Sequence, residues 1–324
     1  MDFQNGIIVT KQFHYKLMNT FKSLSCLVIL LFSITFVSQA QTLDYEPKIL
    51  LVTAHPDDDA LFSATVFKTT HLLGGDVDLA VMTNGEGGYT YSTIGNFIYG
   101  KQLDKEEVGR EYLPGIRKKE VMAGGKIVGL RNYFFFDQVD KEYALDVTIP
   151  LETWDTEWVS ERFETILKQQ QYDFVFTMMP SEETHAHHKA SALLALRAVE
   201  QLDPGERPVI LSTTILREES DSTSFTMLEG YPVTKINRDI APFQFDRTRT
   251  FGHNDRLDYN IIANWVIAEH KSQGTMQQFM DVGKFEQYWY YALNDEEGVE
   301  KTREFFQAVI DAPMYSNPNN LEEE

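Results

Sequence analysis

Cysteine is all but missing from this chain. Its 324 residues hold one, Cys26, placed before an apolar run, on the wrong side for a lipid-attachment cysteine at a cleavage point. Beyond residue 40 disulfides and thiol catalysis are therefore excluded, and stability must come from an ordinary core. Basic charge is also scarce. Against 49 Asp and Glu stand 29 Lys and Arg, a net charge of −20, which excludes nucleic acid as the main partner and disfavours anionic membrane surfaces. The chain has no internal repeat, low-complexity tract or Pro- or Gly-rich linker, so one domain with insertions is the economical reading. Hydrophobic residues make up 43% of the chain and aromatics 13%, enough for a sizeable core.

The apolar run LVILLFSITFV occupies residues 27–37, after Lys16 and Lys22 and before Ser38-Gln39-Ala40. A bilayer-spanning helix needs about 20 apolar residues, whereas a basic stretch, a short apolar run and a small-residue site are the layout of a secretory signal. The expectation is a signal peptide over 1–40, cleaved after Ala40, and export to a periplasmic or extracellular location. Met18 begins a signal of compact, ordinary layout. A single domain is expected over 41–310, with no stable membrane insertion after cleavage, and 311–324 as a solvated, mobile tail. The oligomeric state is left open.

From residue 48 onward, short β-prone runs alternate with stretches of helical period. Residues 49–54, 77–83, 132–136, 174–178 and 209–215 are expected strands, and 60–73, 117–128, 158–168 and 188–201 the helices between them. This predicts an α/β, Rossmann-like, mostly parallel sheet with helices on both faces. Residues 89–115, rich in Tyr, Gly and charge, are expected as a long loop lining a site. Residues 218–256 are expected as an irregular or antiparallel β insertion, with a helix over 257–271.

Two polar clusters follow predicted strands. Ala54-His55-Pro56-Asp57-Asp58-Asp59 comes after the first, and Thr184-His185-Ala186-His187-His188 comes shortly after the fourth. In a parallel sheet the carboxyl edge is the ligand crevice, and this topology brings both clusters to it. An Asp-rich turn capping the next helix explains the first cluster about as well when taken alone. Three histidines within four residues, facing that turn, favour a metal instead, since imidazoles and a carboxylate are the ligand set of a catalytic zinc with an open position for water. Fe²⁺ or Co²⁺ suits the same donors. The glycines of Thr83-Asn84-Gly85-Glu86-Gly87-Gly88 suit either close approach to a ligand or a tight turn. Tyr89, Tyr91, Phe97 and Tyr99 could stack on a sugar, although packing of the loop is the stronger reading.

The segments KILLVTAHPDDDALFSATVFK, LAVMTNGEGG, IRKKEVMAGGKIVGL, THAHHKAS and AEHKSQG, spread over about residues 48–275, resemble the successive motifs of the PIG-L/LmbE-like deacetylases. These are zinc-dependent enzymes that remove acetyl groups from N-acetylglucosamine-type sugars. By position, the resemblance implies His55, Asp58 and His188 as zinc ligands, Asp57 as general base, His185 as the group supporting the oxyanion and Arg117 as a residue meeting substrate. The chain departs from the family pattern at Asp59, usually Glu, and at HAHH, usually HPDH, which makes His187 a lesser candidate for third ligand. His270 and Gln273 match a late family element, where ligand orientation and helix packing are equally open roles.

The expected function is hydrolytic removal of an N-acetyl group from an N-acetylglucosamine-type sugar or glycoconjugate. An amide is a poor electrophile, so the reaction needs activated water, a base and oxyanion support. A metal-dependent phosphoesterase and a non-catalytic carbohydrate-binding protein are the alternatives. The first commonly needs two metals and basic groups, and the second has no need of an unligated Asp57.

Overall fold

The computed structural model describes residues 43–314, apart from 44, 142 and 219–222. The expected signal at 1–40 and residues 315–324 of the expected tail lie outside the described residues. The strands are β1 Lys48–Thr53, β2 Asp76–Thr83, β3 Tyr133–Gln138, β4 Phe174–Met178, β5 Val209–Leu216, β6 Phe243–Asp246, β7 Thr250–Phe251, β8 Leu257–Asp258 and β9 Phe285–Tyr290. The helices that matter here are α1 Ser63–Leu72, α2 Glu106–Ile127, α3 Thr156–Gln170, α4 Ala186–Glu200, α5 Asn260–Glu269 and α6 Glu297–Asp311. Seven strands form one sheet in the order β3-β2-β1-β4-β5-β9-β6, and β7 pairs only with β8. β1 to β5 run parallel, while β9 is antiparallel to both of its neighbours.

Residues along the parallel strands bury on both sides, as period two requires when each face is covered. Leu50, Val52, Ala80 and Val175 pack with Val159, Phe163 and Ile166 of α3 and Ala190 and Leu194 of α4. Ile49, Leu51, Leu79 and Phe176 pack on the opposite face with α1, α5 and Phe305, Phe306 and Val309 of α6. The expected α/β sheet with helices on both faces is the fold observed. After β1 the chain builds outward through β2 and β3, then returns to place β4 on the other side of β1. The loops leaving β1 and β4 thus diverge at a topological switch point, where α/β sheets bind ligands.

Three sequence expectations are corrected. Residues 89–115 are largely helical: a 3₁₀ turn covers Glu86–Tyr91, a short helix Thr93–Tyr99, and α2 begins at Glu106. A Cβ at Gly109 would lie 2.5 Å from both the Leu103 carbonyl and Tyr89 Cβ, so the glycine that reads as a loop residue is a packing residue of this helix. The helix expected over 257–271 spans only Asn260–Glu269, leaving His270–Gln273 as a buried turn. β9, FEQYWY, lies outside every expected element although all six of its residues are buried.

The charged residue of β9 explains that burial. Glu286 is fully buried and accepts from Ala64 N at 2.8 Å, Thr65 N at 2.9 Å, Thr65 Oγ1 at 2.5 Å and Tyr288 Oη at 3.2 Å. Arg247 Nε donates to it at 2.8 Å, and Arg247 Nη2 donates to the carbonyls of Ala60 and Leu61 at 2.7 and 3.1 Å. The pair therefore caps the first turn of α1 and holds the 3₁₀ turn Asp58–Phe62 before it. Glu286→Ala leaves Arg247 buried without its counter-charge, at a cost of about 3–5 kcal/mol. Urea unfolding should show a lower midpoint with an unchanged m value, and an unchanged midpoint would refute this role.

Candidate metal centre

Each of the three consecutive aspartates after β1 is turned to a different task. Asp58 Oδ2 accepts from the backbone N–H of Ala54 at 3.0 Å and of His55 at 2.8 Å, closing the turn and leaving Oδ1 3.3 Å from His188 Nε2. Asp59 points into the core, where His270 Nε2 donates to it at 2.8 Å. Asp57 precedes the 3₁₀ turn Asp58–Phe62 without making a side-chain cap bond, so its carboxylate is left facing the cavity. The turn-and-cap explanation thus holds for Asp58 but not for Asp57.

Helix α4 supplies the histidines. His185 is its N-cap, and its Nδ1 accepts from His187 N at 3.1 Å. His188 Nδ1 meets Thr184 Oγ1 at 2.9 Å, which directs Nε2 toward Asp58. Buried Lys189 donates to the carbonyls of Leu145 and Glu182 at 2.8 and 2.6 Å, fastening this helix start to the loop after β3.

Two donor groups share His55. The first is His55, Asp58 and His188; the second is His55, His185 and His187. In the first, His188 Nε2 lies 3.1 Å from His55 Nδ1 and 3.3 Å from Asp58 Oδ1. Donors bound tetrahedrally at about 2.0–2.1 Å are separated by about 3.3 Å, so these spacings fit a metal of zinc's size. This group also lines a cavity, which gives water access to the remaining position. The second group fits less well because His187 is buried, lies tilted against the Trp154 ring with centroids 5.3 Å apart and lines neither lobe of the cavity.

His187 has a different task. For His55 Nδ1 to offer a lone pair, Nε2 must carry the proton, and His187 Nδ1 is placed 3.2 Å away to accept it. Such a partner fixes the tautomer and orientation of a metal-binding imidazole. Burial, then the charges of the neighbouring histidines, lowers His187 to a pKa of about 2, so its ring stays neutral.

Electrostatics separate the remaining groups. Burial opposes charge on His55, but the hydrogen bond and charge of Asp58 outweigh it and raise its pKa to about 9. Burial likewise opposes ionisation of Asp58, yet His188 and His55 hold it well below the ordinary carboxylate range. His185 is lowered to about 3 by burial and by the charges of His55 and His188. His185 is therefore a neutral ring at neutral pH. Because Nδ1 accepts the His187 N–H, the His185 proton resides on Nε2.

Arg117 lies beneath the Gly85–Gly88 loop, 3% exposed. It donates to the Gly85 carbonyl, to the Gly88 carbonyl at 3.2 Å and to Ser92 Oγ at 3.3 Å. It lines the cavity, but most of its hydrogen bonding holds the loop. Gly85 has φ +72°, and a Cβ at Gly87 would lie 2.0 Å from the Lys141 carbonyl, so these glycines serve the turn and its packing. Of the four aromatics considered for sugar stacking, only Tyr91, 55% exposed, lines the cavity; Tyr99 instead donates to Glu120 at 2.6 Å.

The cavity has two lobes that share His55, Asp57, Tyr91, Tyr143, His185 and Thr275. A polar lobe of about 200 Å³ adds Gly85, Arg117, Asp140, Lys141 and Gln273. A more apolar lobe of about 520 Å³ adds Leu61, Met178, Ile215, Met276, Phe279 and Val282, with Asp58, His188, Arg217 and Arg247 among its polar lining. Asp140, Lys141 and Tyr143 were not among the sequence candidates, although their place after β3, at the same sheet edge, is a signal for them. The roles left open for His270 and Gln273 also gain a geometry. With its amide nitrogen turned toward Asp57, the orientation that satisfies both ends, Gln273 donates to both Asp57 oxygens at 2.9 and 3.3 Å, and its other end faces His270 Nδ1 at 3.5 Å. Glu120 anchors the same turn by accepting from Ser272 N and Oγ, each at 2.7 Å.

Residues 50–199 match the PIG-L family, described as GlcNAc-PI de-N-acetylase. A probable N-acetyl-α-D-glucosaminyl L-malate deacetylase 2 from Bacillus cereus is 24% identical over 247 residues, 76% of this chain and 98% of that protein. Among solved structures, the A40926 pseudoaglycone deacetylase superposes with a TM-score of 0.50 at 15% identity, covering 78% of this chain and 99% of its own. The N,N'-diacetylchitobiose deacetylase from Pyrococcus horikoshii has a TM-score of 0.37 at 20% identity over 55% of this chain, which spans 63% of that protein. The similarity of this chain to the PIG-L family extends over residues 50–199.

Proposed function

We propose that this chain is an exported, zinc-dependent amide hydrolase that removes the N-acetyl group from an N-acetylglucosamine-type sugar or glycoconjugate, with 41–310 as one catalytic domain. The observation that carries the reading is an unligated carboxylate, Asp57, held by Gln273 in the same cavity as the His55–Asp58–His188 donor set. The family match and the naming of the Bacillus cereus relative as a deacetylase support the reaction class. Lys16, Lys22, the apolar run 27–37 and Ser38-Gln39-Ala40 support export.

His55, Asp58 and His188 would hold the metal, with His187 orienting His55. When bound there, zinc supplies Lewis acidity, polarising a carbonyl and lowering the pKa of water from roughly 15.7 to about 7. Asp57 takes the proton of the attacking water and delivers it to the amine nitrogen as the C–N bond breaks, so that one water yields acetate and a free amine. Gln273 keeps both Asp57 oxygens in place for those transfers. His185 Nε2–H donates to the carbonyl oxygen as negative charge builds on it, in a partly desolvated site where such a donor is worth a few kcal/mol (about 2.7–4). Arg117 shapes the polar lobe by fixing the Gly85–Gly88 loop and adds positive charge to its wall.

Asp57→Asn should lower kcat by about 10²–10⁴-fold while one metal per chain is retained, measured by acetate release and elemental analysis. Full turnover would remove Asp57 as the base, and loss of the metal would mean that it is a ligand. Gln273→Met should lower kcat about tenfold in the native background and have no further effect on Asp57→Asn. Additive losses would reduce Gln273 to a packing role.

At pH 7 His55 is protonated, since its pKa stands near 9. Metal uptake requires the neutral ring, so binding releases about one proton from it and affinity rises with pH up to about 9. Calorimetric heats in buffers of different ionisation enthalpy should show that proton, and no buffer dependence would contradict His55 as a ligand.

A further inference from the structure

His55 belongs to both donor groups, and its ring is placed to serve them at the same time. Nδ1 lies 3.1 Å from His188 Nε2, inside the His55–Asp58–His188 set. Nε2, on the other edge of the ring, lies 3.2 Å from His187 Nδ1. An ion held through Nδ1 therefore leaves Nε2, and the groups that Nε2 faces, untouched.

Those groups are two further imidazoles. His55, His185 and His187 each bring a ring nitrogen to within 4.8 Å of the other two. The ring centroids of His55 stand 5.2 Å from His185 and 5.4 Å from His187, and the last two are 4.4 Å apart. Three imidazoles bound tetrahedrally to one ion, each at about 2.0–2.1 Å, have centroids about 5 Å apart. The rings thus stand close to ligand spacing, and modest ring rotations bring their nitrogens to the separation that an ion requires.

Both added rings have a lone pair to give. His187 and His185 are neutral at pH 7, because burial and then the charge of His55 lower them to about 2 and about 3. The His187 lone pair is on Nδ1, where it faces His55 Nε2. That of His185 is on Nδ1, where it accepts from His187 N at 3.1 Å, so ligation trades a cap bond for a bond to the ion. Access comes through the polar lobe, which His55 and His185 both line. Asp140 lines the same lobe and places Oδ1 3.4 Å from His187 Nδ1, a counter-charge for a second dication beside the first. The set depends on one residue in particular: His187 stands where the family pattern HPDH has its aspartate, and an imidazole there supplies the third nitrogen.

We propose that His55, His185 and His187 form a second metal site, filled after the first, in which the His55 ring bridges two divalent transition-metal ions. As the second ion arrives, the Nε2–H bond of His55 breaks, its proton passes to solvent, and a bond from Nε2 to the ion forms. The ligand is an ion that favours imidazole, such as Zn²⁺ or Cu²⁺. This site is the weaker of the two, since filling it displaces both that proton and the His185 cap bond. The proposal goes beyond the hydrolase reading and does not depend on it.

The first test counts metal. The metal-free protein is dialysed against Zn²⁺ at about one and about ten equivalents, and elemental analysis should find about one ion per chain at the lower supply and about two at the higher. A count that stays at one overturns the second site. His187→Asn keeps an acceptor for the His55 proton but removes a nitrogen donor, so it should hold about one ion at both supplies, with the first affinity lowered by about tenfold or less. A second ion retained by this variant lies elsewhere on the protein and overturns the assignment.

Copper reads the bridge directly in the unmodified protein, which keeps the proposal testable if the variant does not fold. An imidazolate between two Cu²⁺ ions couples their unpaired spins antiferromagnetically. The EPR intensity should therefore rise with the first equivalent and fall with the second. Intensity that doubles with the second ion means two isolated sites and overturns the bridge. Neither measurement uses a substrate, so a failure of the hydrolase reading leaves both outcomes intact.

Discussion

Glu286 is a carboxylate with no exposed surface, and five donors converge on it from three separated segments of the chain. A buried charge is tolerable only when paired and fully hydrogen-bonded, so the positions of Ala64, Thr65, Tyr288 and Arg247 are set together. Arg247 extends the constraint to the carbonyls of Ala60 and Leu61, in the turn that carries Asp58 and Asp59. The antiparallel edge of the sheet thereby holds the loop that follows its first parallel strand. Without that brace the three aspartates would occupy an ordinary surface turn.

Given a fixed turn, the three carboxylates divide their work by direction. Asp58 uses one oxygen on its own backbone and presents the other toward His188. Asp59 is committed to His270 in the core. His270 stands 3.5 Å from the side chain of Gln273, which in turn donates to Asp57. Asp57 is thus supported from behind by buried polar groups while its front faces the cavity. Such support is what allows a carboxylate to be held in place without being a ligand.

The histidines follow the same logic from the other side of the switch point. Thr184 turns His188 toward Asp58, the start of α4 turns His185 into a donor through Nε2, and His187 sits behind His55 as an acceptor. Three neighbouring residues of one type take three different roles because the start of a helix sends successive side chains in different directions. Spacing alone leaves His187 and His188 as rival ligands. Burial against Trp154 sets His187 apart, since of the two only His188 lines the cavity.

Several features were legible in the residues themselves. Short apolar strands alternating with helical stretches specify a parallel sheet with both faces covered, and β1 to β5 lie within two residues of where that pattern puts them, because a strand buried on both faces leaves an uninterrupted apolar run. The two polar clusters were also legible, since four of their residues, His55, Asp57, Asp58 and His188, are side chains that chain economy would not place at a sheet edge without a task. The helical character of 89–115 and the burial of FEQYWY were not, because both depend on partners far away in sequence: Leu103 and Tyr89 closing on Gly109, and Arg247 neutralising Glu286. The same holds within the site. Composition and spacing determined which atoms were available to bind a metal and move a proton. Only the tertiary structure decided that His185 is neutral, that Arg117 holds a loop, and that an apolar lobe opens beside the triad, because burial and long-range packing are properties of surfaces that the unfolded chain does not yet have.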